Sequence, residues 1–176
     1  MKPRCIALVV GSIDGRVSLT ARSRPVWASA EDQKFFRTML ARADAVVVGR
    51  NTYAASKGLL RGKSVYLFSR RGRSPSRHSG LTRMTEPIVI NPKQANLRAM
   101  LKKHRQVCIL GGAMVYQTML DAGLIDDLYV TIEPLIFGHG KPMFDGGKQT
   151  KQFRLLSARR LNKDGALLLR YAVRRL

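Results

Sequence analysis

Cysteine and histidine are scarce in this chain: two of the former and three of the latter in 176 residues. Cys5 and Cys108 each sit inside an apolar, strand-like run and have no partner at metal-ligand spacing. They read as small buried hydrophobes rather than as ligands or a disulfide. His78, His104 and His139 are far apart and carry no metal motif, so no metal site is expected. Long apolar runs are missing as well: none approaches the roughly 20 residues needed to span a bilayer. The run Cys5 to Val10 is too short for a signal peptide's apolar stretch and reads as a first strand. No membrane partner is expected, and the expected location is the cytoplasm.

Acidic residues are the other shortage. Eleven Asp and Glu face 32 Lys and Arg, a formal net charge of +21. Such a field attracts anions of any kind, from nucleic acid to a phosphorylated metabolite. The basic residues are spread along the chain, with clusters at Arg70 to Arg77 and Arg154 to Arg160. No aromatic-interleaved stripe or nucleic-acid motif accompanies them, which favours small phosphate-bearing ligands over nucleic acid; a proteome-wide basic bias is the plainer alternative. Hydrophobic content of 45% is ordinary for a folded domain. Without an internal repeat or a linker-like stretch, residues 1–176 read as one α/β domain.

Short apolar runs alternate with helical patterns, which predicts βαβ units on a mostly parallel sheet. Strands are expected at 5–10, 45–48, 64–68, 88–90, 107–110 and 128–136. A terminal antiparallel pair is expected at 153–161 and 166–173, around the turn Asn162-Lys163-Asp164-Gly165. Ser29 reads as the N-cap of a first helix, with Asp32 in the capping-box position. That helix buries Phe35, Phe36, Met39, Leu40 and Ala43. Asn91-Pro92 is expected to cap and start a helix burying Leu97, Met100 and Leu101. Gly111-Gly112 opens another that ends at Gly123. The Arg-, Ser- and Gly-rich segment 69–87 reads as a long mobile loop.

Two strand-to-helix junctions suit phosphates. At Gly49-Arg50-Asn51-Thr52, a buried strand ends in glycine and runs into a helix start, where free N–H groups and the helix dipole favour an anion. Arg50 adds a permanent forked charge and Thr52 a hydroxyl. At Gly111-Gly112-Ala113-Met114-Val115-Tyr116 the pattern recurs without a charge, and paired glycines let a flat ligand lie on the backbone. Either junction alone is commonly just a tight turn. Together, in one α/β domain, they point to a nucleotide site outside the carboxyl ends of the strands. Ser69 and Arg70, at the next strand end, suit an extra phosphate and hence NADPH over NADH; a solvated basic loop is the alternative.

In their order and spacing these segments resemble the superfamily that contains dihydrofolate reductase and the reductase domain of the riboflavin-biosynthesis protein RibD. Ser12-Ile13-Asp14-Gly15-Arg16 is similar to an element that lies beside the substrate in the riboflavin-type reductases. Gly49 to Tyr53 resembles the NADPH-phosphate segment of dihydrofolate reductases, and Gly111-Gly112 with Tyr116 the second cofactor loop. Residues 123–128 and 134–138 are similar to the C-terminal half of the riboflavin type. Pro25, Trp27, Glu31-Asp32 and Phe36 echo the dihydrofolate reductase stretch in which a carboxylate holds the pteridine. Val26 separates Pro25 from Trp27, however, where that family has the pair adjacent.

The resemblance implies a three-layer dihydrofolate reductase-like fold with a C-terminal antiparallel hairpin, NADPH as cofactor and a homodimer. It also implies reduction of a ribosylaminopyrimidine 5′-phosphate to its ribityl form. Asp14 would orient the sugar, Asp32 or Glu133 would contact the base, and Arg16 would meet the 5′-phosphate, with Ser12 and Trp27 nearby. Which of Asp14, Asp32 and Glu133 handles the proton stays open. Asp32 as a mere cap and Asp14 as a mere Asp-Gly turn are the plainer alternatives. The zinc-deaminase signature that accompanies bifunctional relatives is absent, so a reductase alone is expected. Reduction of a dihydropterin is the nearest alternative activity, and a non-catalytic nucleic-acid-binding module the remote one.

Overall fold

The computed structural model describes residues 2–18, 26–70, 86–145, 147 and 150–174. Along the chain run β1 (Arg4–Ser12), β2 (Arg16–Ser18), α1 (Ala30–Ala41), β3 (Ala45–Gly49), α2 (Arg50–Ser56), β4 (Ser64–Phe68) and β5 (Ile88–Ile90). They are followed by α3 (Leu97–Leu101), β6 (Gln106–Gly111), α4 (Ala113–Asp121), β7 (Asp127–Glu133), β8 (Lys141–Pro142), β9 (Phe153–Arg160) and β10 (Leu167–Val173). Eight strands form one sheet in the order β5-β4-β3-β6-β1-β7-β10-β9, and β2 pairs with β8 apart from it. The first six strands of that order are mutually parallel, while β10 runs antiparallel to both β7 and β9. This is the expected α/β sheet with its C-terminal hairpin.

Strands β1, β3, β4 and β6 are buried on both faces because helices cover both, as parallel sheets require. Alternate residues of β1 feed opposite sides. Cys5, Ala7 and Val9 join α3 and α4 through Leu101, Val115 and Met119. Ile6 and Leu8 join α1 and the segment after α2 through Met39, Leu40 and Leu60. The result is three layers, helix on sheet on helix. Both cysteines are buried and free, and burial pushes their thiols up to about 12, so neither is a thiolate at neutral pH.

Three expectations need correction. Asn91-Pro92 begins a turn, not a helix: Asn91 accepts from the Lys93 amide, and α3 starts at Leu97 under the Asn96 cap. Asn96 wins because its side chain accepts the Ala99 amide at 3.0 Å, satisfying one of the first-turn donors. Strand β7 stops at Glu133 rather than at 136, since Pro134 has no amide to continue a ladder. Met100 is only half-buried beside buried Leu97 and Leu101. Of the Arg-rich loop, residues 71–85, including Arg71, lie outside the described residues, as do Pro25 and most of the Arg70 to Arg77 cluster.

Candidate active site

The carboxyl ends of the parallel strands open into one cleft of about 1040 Å³. Strands β3 and β6 are neighbours, with Val48 opposite Gly111 beyond a register shift, so the two glycine junctions meet. A Cβ added to Gly49 would lie 3.3 Å from Val115 Cγ2 and 3.4 Å from the Gly112 amide nitrogen. Gly49 and Gly112 are the N-caps of α2 and α4, and neither helix start has a capping side chain. First-turn amides that lack such a cap are the ordinary partners of phosphate oxygens. Thr52 Oγ1 lies 4.0 Å from where a Gly112 Cβ would be, so the hydroxyl of one junction reaches the other.

Strand β4 lies on the far side of β3 and adds the third element. Arg50 Nε and Nη2 both donate to Ser69 Oγ, at 3.1 and 2.8 Å. Ser69 is buried and its amide donates to the Ile90 carbonyl. Arg50 is thus held across the ends of β3 and β4, with Arg70 exposed beside it and lining the same cleft. Ala113, Met114 and Val115 line the cleft from α4.

Gly111 is irreplaceable for a local reason. Its φ is +84°, and a Cβ there would sit 2.5 Å from the ring of Tyr116. The Tyr116 hydroxyl donates to the Leu8 carbonyl, and full burial pushes the phenol above its ordinary range. Tyr116 therefore props the glycine loop, and it also lines the cleft.

The other half of the cleft carries carboxylates. Ser29 Oγ accepts the Asp32 amide at 3.3 Å, so the cap forms as expected. The reciprocal half of the capping box is made by another residue. The Ser29 amide and hydroxyl both donate to Glu133 Oε1, at 2.8 and 2.6 Å. Glu133 has taken the place Asp32 would fill in a closed capping box. The Asp32 carboxyl is instead buried at the cleft, where Thr131 of β7 is near enough to favour its charged form. Burial, with a smaller push from Glu133, raises it to about 6.

Ser12, Asp14 and Arg16 come together, but as a loop clamp. Ser12 Oγ donates to Asp14 Oδ1 at 2.6 Å and accepts the Arg16 amide at 3.0 Å. Asp14 also accepts the amides of Phe137 and Gly138 at 3.2 and 2.9 Å, and these bonds, with that from Ser12, hold it down to about 2. The Arg16 guanidinium donates to the Gly140 carbonyl and stands 4.0 Å from Asp14. Trp27 packs edge-on against Phe137, centroids 5.1 Å apart, with its indole Nε1 buried and without an acceptor. None of Ser12, Asp14, Arg16, Trp27 or Glu133 lines the cleft; Asp32 does.

Thr131 is the residue that sequence reasoning missed. Its signal was a hydroxyl between Val130 and Ile132 in the interior of β7, in register with Val10 of β1. Phe35, Phe36 and Gln33 of α1 and Tyr129 of β7 also line the cleft. Only the folded arrangement separates these wall residues from the core face expected of the helix.

The model for the RibD C-terminal domain family matches residues 3–167. Among curated proteins, uncharacterized protein YyaP of Bacillus subtilis (strain 168) is 28% identical over 103 residues, 57% of this chain and 50% of that protein. The match thus spans about half the relative's length. Among solved structures, the Thermotoga maritima diaminohydroxyphosphoribosylaminopyrimidine deaminase/5-amino-6-(5-phosphoribosylamino)uracil reductase superposes with a TM-score of 0.69 at 17% identity, covering 98% of this chain and 57% of that one. Dihydrofolate reductase from Enterococcus faecalis, complexed with NADP(H), gives a TM-score of 0.64 at 17% identity, covering 98% and 97%. The sheet order, the cleft at the strand ends and the match over residues 3–167 lead to one conclusion: the chain belongs to the RibD C-terminal domain family, with a dihydrofolate reductase-like fold.

Proposed function

We propose that this protein is an NADPH-dependent reductase of the riboflavin-biosynthesis type, reducing a ribosylaminopyrimidine 5′-phosphate to its ribityl form. The observation that carries the reading is the convergence of both glycine junctions with the Arg50–Ser69 pair on one cleft that also holds Asp32. Glycine at 49 lets the two junctions close on each other, and the room above Gly112, where a Cβ would meet only Thr52 Oγ1 at 4.0 Å, suits a flat ligand lying on the backbone. The dinucleotide's pyrophosphate would be held by the amides following Gly49 and Gly112 together with Thr52. Arg50, Ser69 and Arg70 would hold its additional phosphate, and Ala113 to Val115 would flank it. Bound there, the nicotinamide supplies a hydride; orientation and the proton fall to the protein.

Asp32 is the group suited to that proton. Raised to about 6, its carboxyl keeps a proton further toward neutrality than an ordinary aspartate and has Thr131 to orient it. Asp14, held near 2, remains a carboxylate and shapes the 12–16 turn against residues 137–140. Glu133 acts through Ser29, fixing the start of α1 and with it the place of Asp32. In this reading Ser12, Asp14, Arg16 and Glu133 act as positioning residues around the substrate.

Reduction of a dihydropterin is the second reading, and one observation favours it. The carboxyl that faces the cleft is the one on α1, Asp32, whereas the riboflavin-type candidates Asp14 and Glu133 are spent on protein contacts. Steady-state turnover with NADPH separates the two. Oxidation of NADPH by the ribosylaminopyrimidine 5′-phosphate is the expected result. Turnover of dihydrofolate alone would overturn the riboflavin reading, and turnover of neither would overturn both.

A further inference from the structure

The strands of the sheet have a second end. At their amino ends Lys2, Arg4, Arg42 and Arg105, with Asp44 and Gln106, line a separate cavity of about 530 Å³. Strand β6 runs from Gln106 in this cavity to Gly111 at the cleft, five residue steps, so the two lie roughly 17 Å apart through the sheet.

Local bonding explains why the charges gather here. Arg4 pairs with Gln106 across β1 and β6, and the Arg4 amide donates to the Arg105 carbonyl. Asp44, just before β3, accepts the amides of Arg105 and Gln106 on Oδ2 at 2.7 and 3.0 Å. The one carboxylate of the cavity is therefore engaged in stapling β3 to β6, and these bonds hold it below its ordinary range. Lys2 and Arg4 lean outward onto Asp126 and Asp127, at 2.6 and 2.8 Å. Among the described residues, Arg42 and Arg105 have no carboxylate within ion-pair distance. The Gln106 Nε2 donor is buried without an acceptor.

With Lys2 and Arg4 paired and Asp44 engaged by amides, Arg42 and Arg105 are the two cations of the cavity left without a carboxylate partner among the described residues. Both of these are guanidiniums, whose forks match phosphoryl oxygens bidentately. We propose that this cavity is a second, anion-binding site, distinct from the cleft, that takes a small phosphoryl-bearing ligand.

Calorimetric titration of the full chain with inorganic pyrophosphate at fixed ionic strength tests this. Saturable binding is expected. Arg42→Ala with Arg105→Ala, both outside the cleft, should weaken one class of pyrophosphate site at least tenfold, whereas Arg50→Ala should leave that class within about twofold and affect only the class belonging to the cleft. The double Lys variant should restore part of the loss, which separates a lost ligand contact from a disturbed fold. Tricarballylate, a tricarboxylate of similar charge, should bind more weakly. Loss of binding in Arg50→Ala but not in the double variant would move the ligand to the cleft and overturn the proposal. Non-saturable uptake would reduce the cavity to a diffuse ionic surface. Displacement of pyrophosphate by single-stranded oligonucleotides with affinity rising with their length would assign it to nucleic acid instead.

Discussion

The two halves of the cleft are built on opposite electrostatic terms. Around β3, β4 and β6 the walls are glycine backbone, unadorned helix starts and the Arg50 guanidinium braced on Ser69. Around β1, α1 and β7 they carry buried carboxyls, one of which faces the cleft while another is tied to Ser29. The first half offers positive charge and close backbone approach, which suits a polyanion that must lie flat. The second offers an acceptor and a proton, which suits a heterocycle with donor groups at its edge. One sheet can present both because its strand ends carry different local sequences while sharing a single edge.

The largest expected effect breaks the acidic half. Asp32→Asn should lower kcat by about a hundredfold to ten-thousandfold, the usual range for losing a general acid. It should also abolish the decline of kcat/KM expected of the native enzyme as pH rises through about 6, where the Asp32 carboxyl gives up its proton. The same substitution should stabilise the fold at pH 8. In the native protein the folded carboxyl holds its proton to about 6 while an unfolded aspartate releases it near 3.8. Stability therefore falls as pH rises between those values and stays lower above them, by about 3 kcal/mol in order of magnitude. Thermal melts of both proteins across pH 4 to 8 check the sign.

Gly111→Ala attacks the scaffold under the cationic half. A Cβ at φ +84°, placed 2.5 Å from the Tyr116 ring, should cost about 3 kcal/mol in denaturant unfolding. Arg50→Ala tests the half itself. Loss of an arginine–phosphate contact should weaken NADPH binding by about ten- to a hundredfold, or about 1.5–3 kcal/mol, with little change in kcat. Unaltered affinity in a fluorescence titration would remove Arg50 from the site.

The smallest effect is expected at Asp14. Its carboxylate, held near 2, contributes stability that is present above the unfolded value and lost as pH falls through about 2. Asp14→Asn should flatten the acid end of the stability profile and raise KM more than it lowers kcat. A kcat loss rivalling that of Asp32→Asn would make Asp14 the proton donor and reverse the roles assigned to the two carboxyls.

The cationic half was largely legible in advance because its features are local. A buried valine run ending in Gly49-Arg50, and an isoleucine-leucine run ending in Gly111-Gly112, announce strand-to-helix turns within a few residues. The acidic half was not legible, because each carboxyl's role depends on a neighbour far along the chain. Ser29 and Glu133 are 104 residues apart, and Asp14 meets Phe137 and Gly138 across more than 120. A capping-box spacing at Ser29 to Asp32 could not reveal that Glu133 would make the second bond and release Asp32 to the cleft.

By itself the sequence determined the alternation of strands and helices, the hairpin around Asn162 to Gly165, the two glycine junctions and the excess of positive charge. These follow from periodicity, from glycine's freedom and from composition, none of which needs a distant partner. Tertiary structure decided the rest. Placing β3 beside β6 joined two weak turn signals into one cleft at the strand ends. Placing Asp44 and Arg105 at the opposite end gathered scattered basic residues around a second cavity. Strand order, which no local pattern encodes, assigned Asp32 to the cleft and Glu133 to the fold.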